Sequence, residues 1–188
     1  MPALEIEGYV IVSADGMLAN ADRIMPPELK FDGDKRFFTA ALGRAALIVH
    51  GRHSREDQAG ARLQKRVIVT RRISGIAPDP SDPNATLWNP AGASFEAVCD
   101  RAGVRSGAIA IIGGPDVFDM FMDRYDTFWL SQAAHVRLPG GKPVFSGVPN
   151  HSPQEILAAH GLKAGDSQNL DADAAVFVTP WRRLRQTS

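Results

Sequence analysis

One cysteine, Cys99, stands among 188 residues, so no disulfide can close within the chain and no cysteine-rich metal cluster can form. Charge of one sign is also missing. Lys and Arg number 21 and Asp and Glu number 21, which leaves no global field to draw in nucleic acid or a membrane surface. No apolar run approaches the roughly 20 residues that span a bilayer. The first residues, Met-Pro-Ala-Leu-Glu, lack the basic-then-apolar pattern of a secretory signal. The H-x-E and P-C-x-x-C pair of a zinc deaminase is absent. These absences point to a cytoplasmic protein without a metal. Cys99 falls in a predicted helix, where a small buried apolar residue is expected. What remains is ordinary: 44% hydrophobic and 22% charged residues, and a length that suits a single domain over 1–188.

Apolar runs alternate in kind along the chain. Tyr9–Val12, Ala46–Val49, Val67–Thr70, Thr86–Trp88, Ile109–Ile112 and Thr127–Leu130 are short, continuous and rich in branched residues, the pattern of strands buried on both faces. Between them, 34–45 places Phe37, Phe38, Ala41, Leu42 and Ala45 on one helical face. Ser54 can cap a helix through Gln64, Ser94 opens one that closes near Gly103, and 115–123 reads as helix. Residues 77–84, rich in Pro and Asp, read as a loop. The tail from about Gly161 to Trp181 reads as two strands joined by the polar run 166–169. The expected fold is therefore a three-layer α/β/α domain, its central sheet mostly parallel and finished by a C-terminal antiparallel hairpin.

Two strand-to-helix turns carry glycine. One is Val49-His50-Gly51-Arg52-His53-Ser54, and the other is Ile112-Gly113-Gly114-Pro115-Asp116. Open α/β sheets bind ligands at the carboxyl ends of their strands, where helix N-termini present free N–H groups. Glycine lets a ligand approach the backbone closely. Each turn, taken alone, is equally a tight connection and nothing more, and neither is a G-x-G-x-x-G or Walker loop.

In order, the segments IVHGRHSRE, VIVTRR and AIIGGPDVFDMFMDRYDTFWLS resemble the successive cofactor segments of the dihydrofolate reductase superfamily, which includes the reductase domain of riboflavin biosynthesis. The N-terminal VIVSADGMLA is similar to the first strand of that riboflavin branch. The resemblance implies NADPH as cofactor and a cis peptide between Gly113 and Gly114. Ile112, Gly113, Gly114, Pro115, Asp116, Val117 and Phe118 would then form the turn and helix start that receive the cofactor. Gly51, Arg52, His53 and Ser54 form the second phosphate cradle. Thr70, Arg71 and Arg72 meet the ribose and its 2′-phosphate, for which the planar guanidinium fork is suited; the bland alternative is a solvated basic loop. Ile11 and Leu18 line the nicotinamide.

The same resemblance places the substrate against Ser13, Asp15, Phe38 and Ser131 and makes Asp34 the acid, four residues before Phe38. Asp34 can instead be a helix-end carboxylate, with Asp15 as the competing acid. There are departures. Met25-Pro26-Pro27 replaces the Pro-Trp of folate enzymes, and their tail-gripping arginine would align near Gln64, with Lys65 and Arg66 one and two positions on. Ile112 replaces the Glu of the riboflavin branch, and 134–138 lacks its Pro-x-x-x-Gly. The implied activity is hydride transfer to a pyrimidine- or pteridine-like heterocycle or its ribosylamino adduct, by a homodimer. Dihydrofolate reduction and a non-catalytic nucleotide-binding module are the alternatives.

Overall fold

The computed structural model describes residues 3–54 and 63–184. Strand β1 (Leu4–Ser13) is the axis of the molecule. On one side it pairs in parallel with β7 (Gly107–Ile111), and on the other with β8 (Thr127–Ala133). From β7 the parallel sheet continues through β3 (Leu47–Gly51), β4 (Arg66–Val69) and β6 (Asp82–Trp88). Antiparallel strands close both edges: β5 (Ile76–Asp79) beyond β6, and β12 (Val176–Arg183) beyond β8. Strands β10 (Leu162–Ala164) and β11 (Gln168–Asp171) both pair with β12, completing ten strands among the described residues. A separate ribbon joins β2 (Met17–Ala19) to β9 (Lys142–Pro143).

Helices cover both faces. Leu47, Val49, Val67, Ile109 and Ile111 point to the larger cluster with α2 (Phe95–Ala102), α3 (Pro115–Met120) and α4 (Pro153–Ala159). Ile48, Ala110 and Tyr9 point the other way, to Ala41 and Leu42 of α1 (Asp32–Arg44), with Phe37, Phe38 and Ala45 packed beside them. The five-residue stripe expected on that helix is the stripe that packs. The fold is thus three-layer α/β/α, mostly parallel, with an antiparallel C-terminal end, as expected.

Four local expectations change. Helix α1 begins at Asp32, so Asp34 lies inside the first turn rather than at the cap, which is Phe31. Residues 77–84 are not a loop but most of the β5–β6 hairpin, whose tip is closed by Asp79 accepting from the Ser81 N–H at 2.8 Å. The tail holds three strands, not two, and its tight turn lies at 172–175, where Asp171 Oδ1 accepts from the Ala174 N–H at 3.0 Å. Helix α3 stops at Met120, and Tyr125 reaches back to donate its hydroxyl to the Phe118 carbonyl at 3.1 Å. Helix α4 was not anticipated, although Ser152-Pro-Gln-Glu155 is a full capping box. The helix expected from Ser54 to Gln64 falls largely on residues 55–62, outside the described residues.

Candidate active site

Because the central strands run parallel, their carboxyl ends share one edge of the sheet, and the two glycine turns meet there. The Gly51 N–H donates to the Gly113 carbonyl at 2.6 Å, and the Ile112 N–H to the Val49 carbonyl at 3.0 Å. The Gly113–Gly114 peptide is cis, as the resemblance implied. Gly113 has φ +111°, and a Cβ there would lie 3.1 Å from the Phe118 ring. At Gly114 the nearest described atom to a Cβ is Ser54 Oγ, at 3.7 Å, an ordinary van der Waals contact. Val117 and Phe118 are buried, and Phe118 packs edge-on against Phe128. They support the turn from beneath, while Pro115 and Asp116 open α3 at the surface. Ile112 is buried beside Tyr9 in the α1-side cluster.

Arg52, Ser54, Thr70 and Arg72 line one cavity of about 850 Å³, together with His50 and Arg66. Arg52 and Arg72, 20 positions apart in sequence, are thereby brought to the same space. Arg71 and His53 are exposed outside that lining. Thr70 is buried, bonded through its N–H to the Trp88 carbonyl at 2.9 Å, and its hydroxyl accepts from the Arg72 N–H at 3.2 Å. His50 carries no sequence signal beyond its place in a strand. Its Nδ1 donates to the Gly51 carbonyl at 2.9 Å, which leaves Nε2 as an acceptor without a partner among the described residues. Burial, aided by the Arg66 charge, keeps its pKa low and the ring neutral.

Across β1 lies a carboxylate site. Ser131 of β8 is in register with Ile11 of β1, and Ile111 of β7 with Gly8. With strands about 4.8 Å apart, Ser131 and the glycine turn are separated by about 10 Å across β1. Ser131, buried on β8, and Asp34, half-buried on α1, face each other closely enough for the hydroxyl to influence the carboxyl. Burial pushes the Asp34 pKa up, and the Ser131 hydroxyl only partly offsets this. Phe37 and Trp129 flank the pair, their ring centroids 5.5 Å apart, and Phe38 meets Tyr9 edge-on. Ile11 is buried between the two halves, and Leu18 is half-buried in β2.

Asp15 is differently placed. Burial alone would raise its pKa, but the Ser13 hydroxyl at 2.5 Å, the Leu138 N–H at 3.0 Å and the Arg137 charge outweigh that and hold it low. Ser13 Oγ in turn accepts from the Met17 N–H at 3.0 Å. Ser13 and Asp15, expected to face the substrate, are committed to protein partners that build the β1–β2 turn. Gln64, at the position of the folate-gripping arginine, donates its amide to the Leu42 carbonyl at the end of α1. Among the described residues no group of three or more His, Cys, Asp or Glu is placed to hold a metal, and no helix is long and apolar enough to cross a membrane.

The sheet order, the cis diglycine turn at a strand end and the antiparallel C-terminal edge define a dihydrofolate reductase-like α/β domain. No family model matches the sequence, and no curated protein matches it. Solved structures do match along nearly its whole length. One, described as a riboflavin biosynthesis protein from Shewanella sp. PV-4, has a TM-score of 0.65 at 16% identity, covering 96% of this chain and 99% of that one. Dihydrofolate reductase from Enterococcus faecalis, complexed with NADP(H), has a TM-score of 0.63 at 13% identity, covering 95% and 96%. A diaminohydroxyphosphoribosylaminopyrimidine deaminase/5-amino-6-(5-phosphoribosylamino)uracil reductase from Thermotoga maritima has a TM-score of 0.63 at 18% identity, covering 97% of this chain and 57% of that one. At these identities the likeness is one of fold.

Proposed function

We propose that the protein is an NADPH-dependent reductase acting on a pyrimidine- or pteridine-like heterocycle or its ribosylamino adduct, as a cytoplasmic homodimer. The observation that carries this reading is the meeting of the two glycine turns at the carboxyl edge of the sheet, where Gly51 donates to Gly113 next to a cavity lined by Arg52, Ser54, Thr70 and Arg72. The residues present fit a phosphorylated dinucleotide. Arg52, Ser54, Thr70 and Arg72 face a common cavity with cations and hydroxyls, next to the bare backbone of the glycine turn. Similarity to a dihydrofolate reductase described with NADP(H) supports the same choice.

NADPH, when bound, supplies the hydride. The protein supplies the rest. Arg52 and Arg72 bind phosphate, and the glycine turn admits a flat ring against the backbone. Asp34, made basic by burial, holds a proton at its carboxyl oxygen for an N–H or O–H of the ring being reduced. The aromatic wall of Phe37 and Trp129 favours a planar substrate.

Quenching of Trp88, Trp129 and Trp181 fluorescence by NADPH tests cofactor binding, and loss of NADPH absorbance with a panel of heterocycles tests reduction. Binding without turnover of any heterocycle would reduce the protein to a nucleotide-binding module. Light scattering tests the dimer.

A further inference from the structure

Arg72 belongs to the segment 70–75, which joins β4 to β5 and forms neither helix nor strand. A segment of that kind carrying two arginines is ordinarily loose, and a phosphate binding to it must order backbone as well as side chains. This one is held. The Thr70 N–H donates to the Trp88 carbonyl at 2.9 Å, and the Thr70 hydroxyl accepts from the Arg72 N–H at 3.2 Å. One residue beyond Arg72, the Ile73 carbonyl accepts from the Asn89 side-chain amide at 2.7 Å. The Asn89 N–H donates to the Gly75 carbonyl, also at 2.7 Å. Gly92 closes over the same stretch: a Cβ there would stand 1.6 Å from the Ser74 carbonyl oxygen, so only glycine admits the contact. The backbone of Arg72 is thus bracketed, its N–H by Thr70 and the next carbonyl by Asn89.

Asn89 can hold the segment because it is itself fixed. Its Oδ1 accepts from the Ala91 N–H at 3.0 Å, and its carbonyl accepts from the N–H groups of Gly92 at 3.0 Å and Ala93 at 3.2 Å. The Trp88 indole, buried in the larger cluster, donates to the Ala93 carbonyl at 2.9 Å and ties the turn to the core. An N–H can only donate and a carbonyl only accept, so the amide has one orientation. The turn to Ala91 would be served equally by aspartate or serine; the donor to Ile73 is what calls for asparagine. We propose that Asn89 is a positioning residue that sets selectivity for the phosphorylated cofactor, giving the Arg72 guanidinium a fixed root beside the cavity it shares with Arg52. This rests on the reductase function proposed above, in which Arg72 meets the 2′-phosphate. NADH has no such phosphate and makes no use of the clamp.

The test is the ratio of the NADPH and NADH dissociation constants, read from tryptophan quenching. Asn89→Ala is expected to weaken NADPH about three- to tenfold, the cost of ordering one more immobilised group at binding, and to leave NADH within about twofold. In an Arg72→Ala background the same change should cost NADPH less than about twofold, because no guanidinium is left to position. A ratio that Asn89→Ala leaves unchanged, or a loss shared equally by the two cofactors, would overturn the proposal, as would an undiminished effect in the Arg72→Ala background. A merely structural role would lower the melting temperature without moving the ratio. A parent that binds NADPH and NADH alike would remove the phosphate assignment itself and the proposal with it, a distinct failure. Should Asn89→Ala not fold, Asn89→Ser carries the same measurement: its hydroxyl still accepts from the Ala91 N–H, and the donor to Ile73 is what is lost. The same selective loss is expected there, and an unchanged ratio refutes the proposal.

Discussion

Replacing Asp34 by asparagine keeps the size of the side chain and removes its charge and its titratable proton. The structure sets opposing expectations for activity and for stability. Loss of a proton-transfer group lowers turnover by about 10²–10⁴, while NADPH binding is unchanged, since the glycine turn and the arginine-lined cavity lie on the other side of β1. Stability follows from the sign of the pKa shift. Burial, opposed only in part by Ser131, raises the Asp34 pKa above its ordinary 3.8. The folded state therefore holds this proton more tightly than the unfolded state, and the carboxyl costs nothing extra while protonated in both. As pH rises through the folded pKa, the buried charge destabilises the parent but not the asparagine variant. Against that gain stands the loss of a negative charge in the first turn of α1, about 0.3–1 kcal/mol, with Asp32 still present there. The variant should therefore gain stability relative to the parent as pH rises above about 4, the gain levelling off once the folded-state carboxyl is ionised, read from thermal melts across a pH series. Turnover should collapse in the same protein. Undiminished turnover, or a stability difference that ignores pH, would refute the placement of Asp34 as a desolvated acid.

Gly114→Ala should weaken NADPH about tenfold or more while leaving the melting temperature nearly unchanged, because among the described residues the added methyl meets only Ser54 Oγ, in an ordinary contact at 3.7 Å; a large drop in melting with normal binding would make the turn purely structural. Arg72→Ala should weaken NADPH about 10- to 100-fold and NADH hardly at all, and equal dissociation constants for the two cofactors in the parent would remove the phosphate assignment. Asp15→Ala should lower the melting temperature at neutral pH, and the deficit should close as pH falls below about 4, because a carboxyl whose folded pKa is held low stabilises only while ionised; a deficit that persists in acid would mean that packing, not charge, is what Asp15 provides. Dihydrofolate should be a poor substrate, since Gln64 is bonded to Leu42 instead of offering a cation; a kcat/KM inside the usual ~10⁴–10⁸ M⁻¹s⁻¹ range would contradict this.

Much of the layer order could be read directly from the chain because buried parallel strands have a plain signature. Leu47 through Val49 and Ile109 through Ile111 are apolar on both faces, and only a sheet covered by helices on each side requires that. Helix α2 announces both of its ends, Ser94 accepting from Ala97 and Gly103 in the left-handed region. The β5–β6 hairpin hid behind its prolines. Pro78 sits exposed on an edge strand and Pro83 exposed near the start of β6, positions where a missing N–H does little harm. At the site, the glycine turns and Asp34 stood out as residue types. The choice between Asp34 and Asp15 did not, since both are acids near glycine, and only their partners, Ser131 in one case and Ser13 with Leu138 in the other, separate them.

The central position of β1 has a consequence for how the chain reaches this state. The first strand made is flanked by β7 and β8, so neither of its neighbours exists until residues 107–111 and 127–133 have been synthesised. At roughly 5–20 residues per second, the ribosome exposes an unpaired, valine- and isoleucine-rich segment for about 5–20 s before the strand that should shelter it emerges. The closure that ends this wait joins residues about 100 positions apart, the kind of contact that makes folding slow. The hazard for this protein lies during birth: strand β1 is a candidate for chaperone capture and for pairing with other nascent copies, at a stage when the two glycine turns have not yet met.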